Sequence, residues 1–103
     1  MDQVKGIYDC IIVDDDELDR LMLLSQVRKY PFIRVAGVFE SADQALHHIA
    51  MNSAPDILLL DVDMPETSGL ALRKQLPGIP ACIFVTSHPE FADAPEGYRF
   101  ARD

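Results

Sequence analysis

Four short apolar runs alternate with segments of helical periodicity along the 103-residue chain, and this alternation limits the folds open to it. Each run has the length of a β-strand and is nearly continuous, which is typical of strands covered on both faces. Helical segments between consecutive strands produce right-handed crossovers and parallel pairing. The sequence therefore predicts a single α/β domain over residues 1–103, with helices on both faces of a parallel sheet. The predicted strands comprise residues 8–13, 34–39, 56–62 and 81–86.

Start and stop signals mark the helices between these strands. Acidic residues open and basic residues close an apolar pattern over residues 16–29, which is the charge order that a helix dipole favours. Residues 41–44, SADQ, match a capping box for the second helix. Ser68 is expected to cap a short helix over residues 69–76, and Gly69 to tolerate unusual backbone angles.

Polar residues follow three of the predicted strands at the point where each strand ends. Asp14 and Asp15 follow the first, Asp61 lies near the end of the third, and Thr86 ends the fourth. Because the carboxyl ends of parallel strands meet at one edge, we expect these side chains to converge there. Converging carboxylates repel one another unless a hard cation such as Mg²⁺ binds them, and a carboxylate beside such a cation can attack phosphorus. Taken singly, each aspartate is better interpreted as a helix cap or a solvated charge, and it is their joint occurrence at strand ends that favours a cation site.

Composition excludes several other classes of protein. The net charge of −8 argues against holding nucleic-acid phosphates or anionic lipid on the bulk surface. Cys10 and Cys82 each lie in an apolar strand, which favours core thiols in a reducing compartment over a disulfide or metal site. No apolar run approaches the roughly 20 residues that cross a bilayer, and no signal peptide opens the chain. We therefore expect a cytoplasmic protein without membrane contact.

Three segments, IIVDDDE, DILLLDVDMPETSGL and FVTSHPEFA, together resemble the signatures of response-regulator receiver domains of two-component signalling. The resemblance runs from about residue 8 to residue 91, and its most specific part is the strand–Asp–x–x–Met–Pro–(x)₃–Gly segment. The HPEFA stretch is similar to receivers of the LytTR/AlgR type. The resemblance implies a flavodoxin-like doubly wound parallel sheet with strand order 2-1-3-4-5.

The resemblance also implies a role for each polar residue at the sheet edge. Asp61 would be the phosphoacceptor, and Thr86 the switch hydroxyl. Asp15 would bind Mg²⁺ directly, Asp14 through water, and Asp63 through its backbone carbonyl. The chain would be a phosphorelay switch and not an enzyme, with at most self-phosphorylation and autodephosphorylation. The implied partners are a sensor histidine kinase and a second copy in a homodimer, with an output domain or DNA reached only through a further C-terminal region.

One part of the family pattern is not found in the sequence. A receiver places a lysine at the end of its fifth strand, but no lysine follows Lys74. We therefore expect a receiver incomplete at its C-terminus, which lacks the fifth strand and fifth helix and leaves the fourth strand as an exposed edge. Arg99 or Arg102 could replace the lysine only if the tail folded back.

Two further hypotheses belong to different functional classes. A pseudo-receiver would keep the acidic pocket but bind its partner without phosphorylation, and the missing lysine favours it. A haloacid-dehalogenase-like phosphatase would use Asp61 as nucleophile, Asp63 as general acid–base and Thr86 as its second motif. Such enzymes normally carry the DxD pair on their first strand, whereas two strand–helix units precede it here.

Overall fold

The computed structural model describes residues 6–62, 64, 67–86 and 98–101, and in this part of the chain strands and helices alternate as the sequence predicts. The predicted helices and strands are found within one to two residues of their expected bounds. In chain order the elements are β1 (Tyr8–Val13), α1 (Glu17–Val27), β2 (Ile33–Phe39), α2 (Ala42–Met51), β3 (Ile57–Asp61), α3 (Gly69–Gln75), β4 (Ala81–Thr86) and β5 (Tyr98–Ala101).

All five strands belong to one parallel sheet with the order β2-β1-β3-β4-β5. β1 lies between β2 and β3, so that Ile12 is opposite Val38 on one side and Leu59 on the other. The change of direction in strand order between β1 and β3 places the topological switch point at their carboxyl ends. The flavodoxin-like doubly wound sheet expected from the sequence is confirmed.

The expectation that the fifth strand is missing is wrong. Residues Tyr98–Ala101 pair in parallel with β4, with Phe100 opposite Val85 and Ala101 opposite Thr86. The physical reason is that β4 would otherwise present a row of unpaired donors and acceptors, and four extended residues are enough to pair with it. β4 is therefore an interior strand and not an exposed edge. The residues after Ala101, where a fifth helix would follow, lie outside the described part of the chain.

The sheet buries both of its faces, which explains why its strands are nearly continuous apolar runs. Ile11 and Val13 point into a cluster shared with α2 and α3, whereas Cys10 and Ile12 point into a second cluster shared with α1. Each fully buried aliphatic side chain of this kind contributes about 1.5–3 kcal/mol to folding. The two clusters together fix the sheet between its helices and so fix its carboxyl edge.

Only part of the apolar pattern of α1 faces the sheet. Leu23 and Val27 are buried against it, whereas Leu18, Leu21 and Met22 are exposed. The helix begins at Asp16, whose carboxylate accepts a hydrogen bond from the Asp19 amide at 2.9 Å. This cap holds the first turn of α1 directly beside the end of β1.

Side-chain caps also start the other two helices. Ser41 Oγ accepts from the Gln44 amide at 3.2 Å, and Gln44 Oε1 accepts from the Glu40 amide at 3.2 Å. The predicted capping box is thus present, except that Gln44 Oε1 accepts from the amide of Glu40 and not from that of the N-cap residue Ser41. Ser68 Oγ accepts from the Ala71 amide at 3.1 Å, which confirms the predicted cap of α3.

The two thiols lie on opposite faces of the sheet, because Cys10 belongs to the cluster with α1 and Cys82 to the cluster with α2 and α3. The sheet between them prevents a disulfide within the chain. Burial raises the pKa of the Cys10 thiol from 9.0 to about 12.

Among the helices of the described residues, none combines the length and apolar character needed to cross a membrane.

We predict that Cys10 and Cys82 are both unreactive toward a disulfide reagent in the folded protein at about pH 8, and that both react in urea. The pKa of the Cys10 thiol is 9.0 when the chain is unfolded and about 12 when it is folded. At pH values well below 9.0 the thiol is protonated in both states, so its ionisation does not change the free energy of unfolding. The free energy of unfolding should decrease as the pH rises from about 9 toward 12. A Cys10→Ala variant assigns the remaining signal to Cys82, and rapid labelling of native Cys10 would contradict the predicted burial.

Candidate functional site

Three carboxylates that are distant in sequence meet at the carboxyl edge of the sheet. Asp14 and Asp15 follow β1 and Asp61 ends β3, and one carboxylate oxygen from each lies within 4.8 Å of the others. Asp14 is completely buried and Asp61 is 3% exposed, whereas Asp15 is exposed to solvent. The parallel pairing of β1 with β3 causes this convergence, because it places Val13 opposite Leu60 and so brings the residues that follow them together.

Hydrogen bonds fix the amide, one carboxylate oxygen and the carbonyl oxygen of Asp14. Its amide donates to the Phe39 carbonyl at 3.0 Å, which extends the pairing with β2 beyond the end of β1. Its Oδ1 accepts from the Asp16 amide at 3.0 Å, and its carbonyl oxygen accepts from Arg20 Nη1 at 2.9 Å. The turn between β1 and α1 therefore holds Asp14 and Asp15 in one arrangement.

The segment after Asp61 is fixed to both neighbouring elements. Asp61 is opposite Val85 in the pairing of β3 with β4. The amide of Val62 donates to the Val85 carbonyl at 3.2 Å, and the amide of Gly69 donates to the Val62 carbonyl at 3.3 Å. The start of α3 thus lies directly against the residue that carries the third carboxylate.

Gly69 is required at this contact for its size, and the expectation of an unusual backbone angle is wrong. Its backbone torsion is not in the left-handed region, and it forms the first residue of α3. A Cβ atom there would overlap the Asp61 carbonyl oxygen and would lie 3.0 Å from the carbonyl carbon and 3.2 Å from Leu60 Cβ. The close approach between helix and strand leaves room for glycine alone.

A pocket of about 180 Å³ opens beside Asp15. It lies where the ends of β1, β2 and β3 meet, so a molecule that enters it reaches Asp15 from solvent. Three acidic residues, two hydroxyl residues and two apolar residues of the described chain line it. The lining residues are Asp15, Glu40, Ser41, Ala42, Asp43, Met64 and Thr67.

Other residues predicted for the site are described only in part. Thr86 is the last residue of β4, next to Val85 and opposite Ala101, and its hydroxyl lies outside the described part of the structure. Asp63 also lies outside it, as do the side chains of Arg99 and Arg102. Their predicted roles therefore stay predictions.

The three carboxylates fit a divalent cation of the magnesium type. Two of them are almost completely removed from water, where like charges repel strongly and each ion is costly to desolvate. Carboxylate oxygens are the hard ligands that Mg²⁺ prefers, and an exposed Asp15 leaves one side open for water or a phosphoryl oxygen. Asp14, Asp15 and Asp61 are the described residues that would hold the ion.

Known proteins share the sequence pattern and the fold of this chain. Residues 10–101 match the family model of the response regulator receiver domain. The chain is 38% identical over 69 residues to protein-glutamate methylesterase/protein-glutamine glutaminase 1 of Carboxydothermus hydrogenoformans, covering 67% of this chain and 20% of that protein. It is 36% identical over 85 residues to the positive alginate biosynthesis regulatory protein of Pseudomonas aeruginosa, covering 80% and 34%. It is 29% identical over 85 residues to the sensory transduction protein LytT of Enterococcus faecalis, covering 80% and 35%.

Solved structures share the fold. The response regulatory domain of protein mrkE from Klebsiella pneumoniae superposes with a TM-score of 0.78 at 22% identity, covering 90% of this chain and 80% of that one. The isolated REC domain of RcsB from Salmonella enterica serovar Typhimurium, solved in the presence of phosphomimetic BeF₃⁻, gives a TM-score of 0.72 at 21% identity, with coverages of 85% and 69%.

The fold and the acidic edge are those of a receiver-type α/β domain, and the family model covers nearly all of the described chain. The chain belongs to the response regulator receiver domain family. Its relatives include response regulators of the AlgR and LytT type, as the resemblance indicated. The chain spans only 20% to 35% of the length of the three curated relatives described above.

We predict that Gly69→Ala lowers the free energy of unfolding by about 1–3 kcal/mol, because the added methyl group overlaps the Asp61 backbone. The intrinsic helix propensity alone would favour alanine by about 1 kcal/mol. Gly78→Ala is the matched control, since nothing lies within 4 Å of a Cβ at that position. Urea unfolding monitored by circular dichroism checks both variants, and equal stability of the two would refute the predicted overlap.

We predict that Asp15→Asn weakens Mg²⁺ binding about tenfold or more, because it removes an exposed carboxylate ligand. Without Mg²⁺ the variant should be at least as stable as the wild type, since repulsion within the cluster is reduced. Asp16→Asn is the control: it removes the same charge one residue away, and asparagine caps a helix as well as aspartate does. Isothermal titration with MgCl₂ measures both, and equal weakening would show only a long-range charge effect.

Proposed function

We propose that this chain is a phospho-accepting receiver domain that takes a phosphoryl group from a sensor histidine kinase onto Asp61. The observation that carries the proposal is the position of the Asp61 carboxylate, buried at the end of β3 and within 4.8 Å of carboxylate oxygens of Asp14 and Asp15. Membership of the receiver family supports the same function. The RcsB domain, which shares the fold, was solved in the presence of the phosphomimetic BeF₃⁻.

The structure favours Asp61 over its two neighbours as the phosphoacceptor. Asp14 is completely buried, and its Oδ1 accepts the Asp16 amide that shapes the turn. Asp15 is exposed to water at the pocket. Asp61 alone of the three is joined through its following residue to both β4 and α3, so a change at its carboxylate can reach two other elements.

The proposed reaction is one nucleophilic displacement at phosphorus. A carboxylate oxygen of Asp61 forms the new O–P bond, the P–N bond of the phosphohistidine breaks, and the imidazole leaves with the electron pair and takes up a proton. Asp14 and Asp15 would hold the cation beside Asp61, and the Asp63 backbone carbonyl is the further ligand that the family resemblance implies. Mg²⁺, when bound, supplies positive charge that offsets the negative charge of the transferring group.

We propose that the phosphoryl group acts on the β4–β5 region of the sheet. It adds negative charge and acceptor oxygens next to Asp61, and Thr86 lies one residue beyond the position opposite Asp61. The Thr86 hydroxyl would bond a phosphoryl oxygen, and its backbone is paired with Ala101 of β5. A movement of Thr86 would therefore change the surface near β5, where a homodimer partner or an output domain would respond.

A second candidate function is a pseudo-receiver that binds its partner without phosphorylation. It is favoured by one observation, that no lysine occurs in residues 75–103. The haloacid-dehalogenase-like alternative gains no support, because residues 10–101 match the receiver family. We propose a cytoplasmic location, which fits two reduced thiols buried on opposite faces of the sheet.

We predict that acetyl phosphate with Mg²⁺ adds one phosphoryl group to the wild-type chain, and that Asp61→Asn abolishes the addition. Intact mass spectrometry measures the adduct, and omission of Mg²⁺ should greatly reduce it. Asp56→Asn is the control, because Asp56 immediately precedes β3 and therefore lies at the end of that strand opposite to Asp61. The Asp56 carboxylate accepts a hydrogen bond from the Asp9 amide at 2.9 Å. This variant should be modified like the wild type.

The same experiment separates the two candidates. A receiver is modified at Asp61 and binds beryllofluoride, whereas a pseudo-receiver does neither. If the wild-type chain takes up no phosphoryl group and no beryllofluoride at saturating Mg²⁺, phosphoryl acceptance is refuted and the pseudo-receiver becomes the preferred function.

A further inference from the structure

We infer that Arg20 is a positioning residue for the acidic site, and that it sets the affinity for the cation by fixing the peptide bond between Asp14 and Asp15. This inference rests on the proposed function. Arg20 lies in α1, is half-buried, and donates from Nη1 to the carbonyl oxygen of Asp14 at 2.9 Å. It bonds the backbone of the site, six residues earlier in the chain, and acts on the carboxylates through that backbone.

The carbonyl oxygen of Asp14 lies beyond the regular pairing of β1. Val13 is the last residue of the strand paired with both β2 and β3. The Asp14 amide still bonds to Phe39, but the chain then turns into α1. A charged guanidinium is a strong donor at this position, because hydrogen bonds with an ionised partner are shorter and stronger than neutral ones.

The bond matters because the peptide unit is planar. The Asp14 carbonyl, the Asp15 amide and the Cα atoms of both residues lie in one plane, so fixing the direction of the carbonyl also fixes where the Asp15 Cα lies. The Asp14 side chain is held separately through the Asp16 amide. Arg20 therefore helps to fix the backbone from which the exposed Asp15 side chain projects toward the two buried carboxylates.

Two effects of Arg20 on cation binding oppose each other. Its positive charge, always present, repels a divalent cation, whereas its bond to the backbone preorganises the ligands. The guanidinium is directed at a carbonyl oxygen of the site, whereas an arginine at the far end of the same helix exerts only the weaker, long-range part of the charge effect. Arg28, the exposed C-cap residue of α1, provides that comparison.

The experiment is a titration with MgCl₂ monitored by isothermal titration calorimetry. It compares the wild type with Arg20→Ala, Arg20→Lys and Arg28→Ala. Arg20→Ala should weaken Mg²⁺ binding about tenfold, the size found for residues that orient metal ligands. Arg28→Ala should leave binding unchanged or slightly tighter, since it removes only a positive charge. Arg20→Lys keeps a charged donor on a flexible stem and should recover part of the loss.

Phosphorylation gives a second readout that a merely structural role would not produce. In Arg20→Ala the Mg²⁺ concentration for half-maximal modification of Asp61 by acetyl phosphate should rise about tenfold. The rate at saturating Mg²⁺ should stay close to that of the wild type, because Asp61 itself is held by β3. Urea unfolding without Mg²⁺ shows whether Arg20→Ala is folded. If Arg20→Ala is unfolded, Arg20→Gln takes its place in the Mg²⁺ titration and in the phosphorylation assay.

The outcomes distinguish this inference from the proposed function. If the wild type neither binds Mg²⁺ nor becomes phosphorylated, the proposed function fails. If the wild type does both but Arg20→Ala binds Mg²⁺ as tightly as the wild type, or is weakened no more than Arg28→Ala, only the positioning role of Arg20 is overturned. Tighter binding in Arg20→Ala would also overturn it, since charge repulsion would then be the larger effect.

Discussion

Three carboxylates held within 4.8 Å of one another repel, and two of them, Asp14 and Asp61, are almost completely buried. An arrangement of this kind is unfavourable by itself, since each buried ion loses its hydration and gains a like-charged neighbour. It persists only if the surrounding backbone is rigid enough to hold it. The packing of the sheet and the bonds in its loops supply that rigidity, and cation binding is the natural means of relieving the repulsion.

The support comes from both faces of the sheet and from its loops. Aliphatic side chains of β1 and β3 are buried against α1 on one face and against α2 and α3 on the other, which leaves little freedom at the strand ends. Beyond the strands, polar contacts continue the constraint. Asp14 is bonded through its amide, carboxylate and carbonyl, and Gly69 lies in contact with the backbone of Asp61. Specific contacts from several elements therefore hold the described backbone of the functional edge.

Much of the fold could be predicted from local patterns, because these patterns reflect forces that act within a few residues. The continuous apolar runs indicated β1, β3 and β4, and Ser41 and Ser68 marked the helix starts that the structure confirms. The fifth strand was missed, since the four residues Tyr98–Ala101 show no strong pattern and form a strand only by pairing with β4. The size requirement at Gly69 and the backbone bond of Arg20 were missed for a similar reason: both depend on a partner in another element.

The sequence by itself determined the order of strands and helices, the parallel α/β class and the set of acidic residues that follow the strands. Periodicity and capping are local properties, and the crossover rule then restricts the topology. Only the tertiary structure decided which aspartates are buried, how close their oxygens lie, and which backbone atoms hold them. Those quantities depend on the register of β1 against β3 and on how closely α1 and α3 approach the sheet, and both are set by packing between residues that are distant in the chain.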